Sequence, residues 1–170
     1  GRVDLNVHSM KDLSIDRPKG FVMGAVPKRE DSRDVILFSE SAIDRLRKGQ
    51  KVRVGTSSPR RLENLPAFLD EALPFFGVGS EKDRCQFIEI RGNVNTRLSR
   101  VHEPETSDRK LDGVVLAFAG LIRLWRDEKA RIELSRLLEG VRWMVMPLRE
   151  CASAPAQGAL AVECREDDLF

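Results

Sequence analysis

Residues 51–65 read KVRVGTSSPRRLENL, and this stretch decides the fold class. Val52 and Val54 alternate with polar neighbours up to Gly55, the pattern of a strand. Thr56, Ser57 and Ser58 follow. Ser58 stands where a helix N-cap belongs, with Pro59 at the first helical position, which is a strong start signal. A strand therefore runs through a small-residue turn into a helix that carries Arg60 and Arg61. The same unit recurs in IEIRGNVNTRL (88–98) and in VVLAFAGLIRL (114–124). Helix N-termini present unpaired N–H groups and a partial positive charge, so they attract anions. Gly55, Ser57, Gly92 and Gly120 would let a ligand approach the backbone. Arg60, Arg61, Arg91, Arg97 and Arg123 would lie near the carboxyl ends of strands, where open α/β sheets place their ligands. The pattern implies an anion-binding α/β domain for a ligand with several carboxylates or phosphates. Taken singly, each part also has a plain reading: hydroxyl residues cap helices, and Gly92 and Gly120 satisfy turns.

Outward from these units, strands are expected at 3–8, 21–27, 35–38, 86–90, 141–147 and 159–164. In the first, Val3, Leu5 and Val7 alternate with polar residues as in a half-buried strand. A helix capped by Ser39 or Ser41 should run to Lys48 and stop at Gly49. Another should occupy 127–140. Residues 66–85, with Pro66, Pro74, Gly77 and Gly79, look irregular. Strands alternating with helices predict an α/β fold with a largely parallel or mixed sheet. The first strand ends in His8, Ser9, Lys11 and Asp12, an unusual concentration of charge. His8 reads as a hydrogen-bonded structural histidine.

Composition excludes several classes. The 170 residues are 41% hydrophobic, enough for a core, and the net charge is +2. With no Tyr and so little net charge, a nucleic-acid binder is a poor fit. Of 29 basic residues, 21 are Arg, the residue that grips carboxylate or phosphate bidentately. Cys85, Cys151 and Cys164 form no CxxC pair, so neither a disulfide framework nor a metal site is expected, and a reducing compartment is: the cytoplasm, or a plastid or other organelle stroma in a eukaryote. No apolar run approaches the length of a membrane span.

Five segments, VHSMKDLS, VGTSSPRRLENL, IRGNVNTRLSR, VLAFAGLIRL and AQGALAVECR, resemble the porphobilinogen deaminase (hydroxymethylbilane synthase) family, in the family's order and across residues 3–165. The resemblance implies a transferase of tetrapyrrole (heme) biosynthesis that joins porphobilinogen units with release of ammonia, on a dipyrromethane cofactor held through a cysteine. It implies an α/β, periplasmic-binding-protein-like (type II) lobe with a mixed sheet flanked by helices. Residues 1–26 would end the first half of domain 1, 27–150 would form domain 2, and 151–170 would return to domain 1. Asp12 matches the family's catalytic aspartate. Arg60, Arg61, Arg91, Arg97 and Arg123 would pair with ligand carboxylates, Ser57, Ser58 and Thr96 would add hydroxyl donors, and Ser9 and Lys11 would bind from the domain 1 side. Thr56, Gly92, Asn93, Gln157 and Gly158 complete the expected substrate- and cofactor-binding set. Porphobilinogen and the growing polypyrrole are the implied partners, and the protein is expected to be a monomer.

The sequence also departs from that family. Its N-terminal R-x-S-x-L-A segment and its Gly-Gly-Cys cofactor site are not found, so the chain is expected to be a fragment, inactive alone. Segments 66–87 and 126–147 match poorly and are expected to be surface elaborations. Pro59 replaces an apolar residue, and RECASAPA (149–156) replaces a shorter approach to Gln157. Two other readings stay open at this level: a non-catalytic polycarboxylate-binding module of the same fold, and a phosphate binder.

Overall fold

The computed structural model describes residues 3–167. The outer ends of the expected segments 1–26 and 151–170 lie outside the described residues. In chain order the elements are β1 (Leu5–Ser9), β2 (Phe21–Ala25), β3 (Asp34–Phe38), α1 (Ser41–Arg47), β4 (Val52–Gly55), α2 (Pro59–Ala72), β5 (Cys85–Ile88), α3 (Val94–Leu98), β6 (Gly113–Ala117), α4 (Phe118–Arg126), α5 (Glu128–Leu138), β7 (Arg142–Val145) and β8 (Leu160–Arg165). One-turn 3-10 helices follow β1 at Met10–Asp12 and α3 at Ser99–His102.

These strands build two sheets. The larger has the order β5-β4-β6-β3-β7. β4 is parallel to β5 and β6, whereas β3 runs antiparallel to β6 and β7, so the sheet is mixed. The smaller is antiparallel, with β8 between β1 and β2. Alternation along β3 explains how the larger sheet is covered on both faces. Ile36 packs with Leu46, Leu65 and Leu69 of α1 and α2. Val35 and Leu37 pack on the other face with Leu98, Leu121 and Leu134 of α3, α4 and α5. In α2 the buried residues Arg61, Leu65 and Leu69 recur every four positions, one helical stripe. The fold is thus an α/β sheet flanked by helices on both faces.

Reversal of β3 matters for function. Its first residue, Asp34, pairs in register with Ala117, the last residue of β6. The carboxyl ends of β4, β5 and β6 and the amino end of β3 therefore share one edge of the sheet.

Several expectations need correction. Residues 66–72 are not irregular: α2 runs to Ala72 with Pro66 inside it. The burial of Leu65 and Leu69 outweighs the loss of one backbone hydrogen bond. Segment 126–147 is not a surface elaboration, because it contributes α5, whose Leu134 is fully buried, and β7, which extends the sheet beside β3. Cys85 likewise begins β5 and is buried. Gly120 lies within α4 rather than in a turn; a Cβ there would approach Val94 Cγ2 at 3.2 Å. Neither Ser39 nor Ser41 caps α1 through its side chain; their hydroxyls bond each other, and Ser39 Oγ also donates to the Asp112 carbonyl. Cys164, in β8, is half-buried. Finally, the apolar face of β1 points outward: Leu5 and Val7 are 56% and 64% exposed. The opposite side carries His8, which meets Glu163 of β8 at 3.3 Å, and Ser9, at the end of the strand, reaches the site.

Candidate functional site

At the shared strand edge lies an open cavity of about 240 Å³. Each wall comes from a different part of the chain. Ser9, Lys11 and Asp12 enter from the end of β1 and its 3-10 turn; Gly92, Asn93 and Arg97 come from the start of α3. Ala117, Ala119, Gly120 and Arg123 come from the β6–α4 junction, Arg61 from α2, and Gln157 and Gly158 from the approach to β8. Four cationic side chains and one acid, Asp12, therefore face this space.

Local chemistry fixes these positions. Gly92 has φ +116°, a conformation open to glycine, and lets the chain turn from β5 into α3. Asn93 then caps α3, its side chain accepting from Thr96 N at 2.8 Å. Gly158 has φ +90°, and a Cβ there would lie 2.5 Å from the Glu30 carbonyl oxygen, so only glycine allows this crossing of segments 29–33 and 157–159. Two of the arginines that line the cavity are anchored on these glycines. Arg97 Nε donates to the Gly92 carbonyl at 2.7 Å, and Arg123 Nη2 donates to the Gly158 carbonyl at 2.6 Å.

Behind the cavity sits Asp34, 1% exposed. It accepts from Arg60 Nη2 at 2.8 Å, from Arg61 Nε and Nη2 at 3.1 and 2.7 Å, and from Gln157 Nε2 at 2.8 Å. Gln157 Nε2 also donates to the Ser32 carbonyl at 2.7 Å, and its Oε1 accepts from Lys11 Nζ at 3.4 Å. Burial opposes the Asp34 carboxylate, yet hydrogen bonds and charge from Arg61, with bonds from Arg60 and Gln157, hold it below its ordinary value. Burial, then the Arg61 charge, pushes Lys11 below the usual lysine range, although Asp12 and Asp34 pull the other way.

Of the residues expected to bind ligand, six lie outside the cavity wall. Thr56 is buried, and its hydroxyl accepts from Ser58 N at 3.3 Å. Ser57 Oγ donates to the Ile90 carbonyl and accepts from Ile90 N at 2.9 Å, stitching β4 to the end of β5. Ser58 begins α2 without a side-chain cap bond. Arg60 is held by Asp34 and the Ala152 carbonyl. Arg91 is exposed and pairs with Glu89 at 3.0 Å. Thr96 packs its side chain against Gly92. Asp34 is the residue that sequence reading missed. Its signal is an acid at the head of the apolar run VILF in a chain with an Arg pair nearby, since a buried acid requires such partners.

The arrangement suits a ligand with several carboxylates around an N–H-rich body. Arginine and lysine meet carboxylates through charge-assisted bonds, and Asp12 can accept from N–H groups. Among the described residues no cluster of His, Cys, Asp or Glu could hold a metal ion, and no helix is long and apolar enough to cross a membrane.

Comparison with known proteins agrees with this chemistry. A family model described as "Porphobilinogen deaminase, dipyromethane cofactor binding domain" matches residues 1–170. The porphobilinogen deaminase of Leifsonia xyli subsp. xyli is 42% identical over 99% of this chain and 42% of its own length. That of Nocardia farcinica is 39% identical over 99% of this chain and 40% of its length. That of Bacillus velezensis is 38% identical over 98% of this chain and 44% of its length. The chain thus spans about two-fifths of the length of the curated relatives it matches. The family's cofactor is dipyrromethane, and the cationic wall fits its carboxylates. No cysteine lines the cavity: Cys85 and Cys151 are buried, with burial pushing their thiols up to about 12 and about 11, and Cys164 lies in β8. A sequence match along the whole chain, over a cavity whose side chains suit the family's ligand, leads to one conclusion: the chain belongs to the porphobilinogen deaminase family.

Proposed function

We propose that this chain carries the substrate cleft of a porphobilinogen deaminase (hydroxymethylbilane synthase), the transferase that polymerises porphobilinogen with release of ammonia. The observation that carries this reading is the placement of Asp12 across one cavity from Arg97 and Arg123. Acetate and propionate groups of the substrate would lie on Arg97, Arg123 and Lys11, with Ser9 and Asn93 as neutral partners. Asp12 would accept from the pyrrole N–H groups. As the aminomethyl C–N bond breaks and ammonia departs with the bonding electrons, positive charge spreads over the ring. A fixed carboxylate beside the ring nitrogen stabilises that charge and favours departure. A dipyrromethane bound in the same cleft supplies the pyrrole carbon that accepts the next unit. Lys11, Arg97 and Arg123 would hold its carboxylates.

The domain reading follows the same logic. Residues 27–150 would be domain 2, and 1–26 with 151–170 would belong to domain 1, as a periplasmic-binding-protein-like (type II) lobe. What supports it is that β3–β7 form one sheet while β1, β2 and β8 form another. The three cysteines, all unpaired, support a reducing compartment, the cytoplasm.

The test is calorimetric titration of the 170-residue chain with porphobilinogen. Binding is expected. Arg97→Ala and Arg123→Ala should each weaken it about tenfold or more, the loss of a charge-assisted hydrogen bond. A wild-type chain that does not bind, or variants that bind equally well, would overturn the reading.

A further inference from the structure

We propose that Glu30 and Arg126 are positioning residues of the cleft: their ion pair straps α4 to the segment 157–159 and so fixes Arg123 opposite Asp12. This inference rests on the carboxylate-binding reading above.

Segment 157–159 runs between two walls of the cavity and is bonded to both. On one side Met10 N donates to the Ala159 carbonyl at 3.0 Å and Lys11 Nζ to Gln157 Oε1 at 3.4 Å, which ties down the 3-10 turn that carries Asp12. On the other side Arg123 Nη2 donates to the Gly158 carbonyl at 2.6 Å. Among the described residues this is the one hydrogen bond of the Arg123 side chain, so the other N–H groups of its guanidinium are left for a ligand. Where Arg123 stands therefore depends on two things: the place of Gly158 and the distance of α4 from it.

Glu30 sets both. Its backbone N–H donates to the same Gly158 carbonyl at 3.0 Å and fills the second lone pair of that oxygen. Its side chain turns back to α4, where Glu30 Oε1 accepts from Arg126 Nη1. Arg123 and Arg126 are three residues apart, so they share one face of that helix. One residue thus grips the acceptor of Arg123 through its backbone and the helix of Arg123 through its carboxylate. The side chain of Glu30 is 21% exposed and that of Arg126 66%. A pair so placed is partly screened, and its effect is a few-fold and falls as salt is added.

The test is a double-mutant cycle in the 170-residue chain, read by titration with porphobilinogen. Glu30→Gln and Arg126→Gln break the pair from either end and leave the backbone bond to Gly158 in place. Each should weaken binding about threefold. Arg126→Lys should bind as wild type does, because the contact uses one nitrogen rather than the guanidinium fork. In an Arg123→Ala background Glu30→Gln should have no further effect, since the side chain it positions is already gone. A loss that persists in that background, no loss from either glutamine variant, or a lysine variant as weak as Arg126→Gln overturns the proposal. Without ligand, side-chain NMR should find the Arg123 guanidinium rotating faster about Nε–Cζ in both glutamine variants than in wild type and Arg126→Lys. A pair that only stabilised the fold would lower thermal stability and leave that rotation unchanged, which also overturns the proposal. A wild-type chain that fails to bind porphobilinogen overturns the functional reading instead, and the rotation of Arg123 still decides the role of the pair.

Discussion

The two sheets of this chain are built on opposite terms. In the five-stranded sheet, Val35, Ile36 and Leu37 of β3 are 0% exposed, with helices covering both faces. In the three-stranded sheet, Leu5 and Val7 of β1 and Phe21 and Val22 of β2 remain open. One unit has a core of its own; the other lacks a cover for its outer face among the described residues. They meet at Asp34, where the first residue of the larger sheet binds Gln157 on the strand's approach to the smaller one. The difference teaches that the acid of the cavity and its cationic wall stand on unequal ground: Asp12 follows the open sheet, while the arginines start from the packed one.

Breaking the joint should have the largest effect. Asp34→Asn leaves Arg61, 5% exposed, without its ionic partner and should cost about 4 kcal/mol at pH 7, measured by urea unfolding. The cost should depend on pH with a definite sign. Asp34 is held below its ordinary value of 3.8, so the unfolded chain takes up its proton at a higher pH than the folded one does. Its contribution is complete above that ordinary value and disappears as pH falls through the folded one. The gap between wild type and Asp34→Asn should therefore narrow in acid. A gap that stays constant down to about pH 2 would mean that the lost charge is not what the variant measures.

Next comes the packed sheet. Leu134 lies in α5 with no exposure, although its sequence segment resembles the family poorly. Leu134→Ala should cost about 3 kcal/mol in urea unfolding, as other buried Leu truncations do. A loss under about 1 kcal/mol would return residues 126–147 to the status of a surface elaboration and weaken the contrast between the sheets.

How much of this could be read from the sequence follows the same division. The three strand–turn–helix units around Arg61, Arg97 and Arg123 are legible because period-2 apolar runs, a Ser-Pro start and small turn residues are local signals. The continuation of α2 through Pro66 is not local: it depends on Leu65 and Leu69 finding the core beneath. Nor is the outward face of β1, since an alternating pattern fixes which residues share a face and leaves open which face is covered. At the site, motif resemblance places Asp12 and Lys11, yet the pairing that sets Arg60 and Arg61 apart from Arg97 depends on Asp34, which lies 26 residues from Arg60 and 27 from Arg61 in sequence.

The smallest expected effect is the one that sharpens the comparison most. Leu5 keeps 56% of its surface exposed, so little apolar area is withdrawn from water when β1 forms. Leu5→Thr keeps a strand-favouring side chain and should change the stability of the 170-residue chain by less than about 0.5 kcal/mol. The same strand is held to β8 by its backbone ladder from Leu5 to Ser9, which this substitution leaves in place. Urea unfolding of the variant at two protein concentrations checks the expectation. A loss approaching that of Leu134→Ala, or one that grows with concentration, would show that this face is covered in solution, and the two sheets would then be more alike than their exposures indicate.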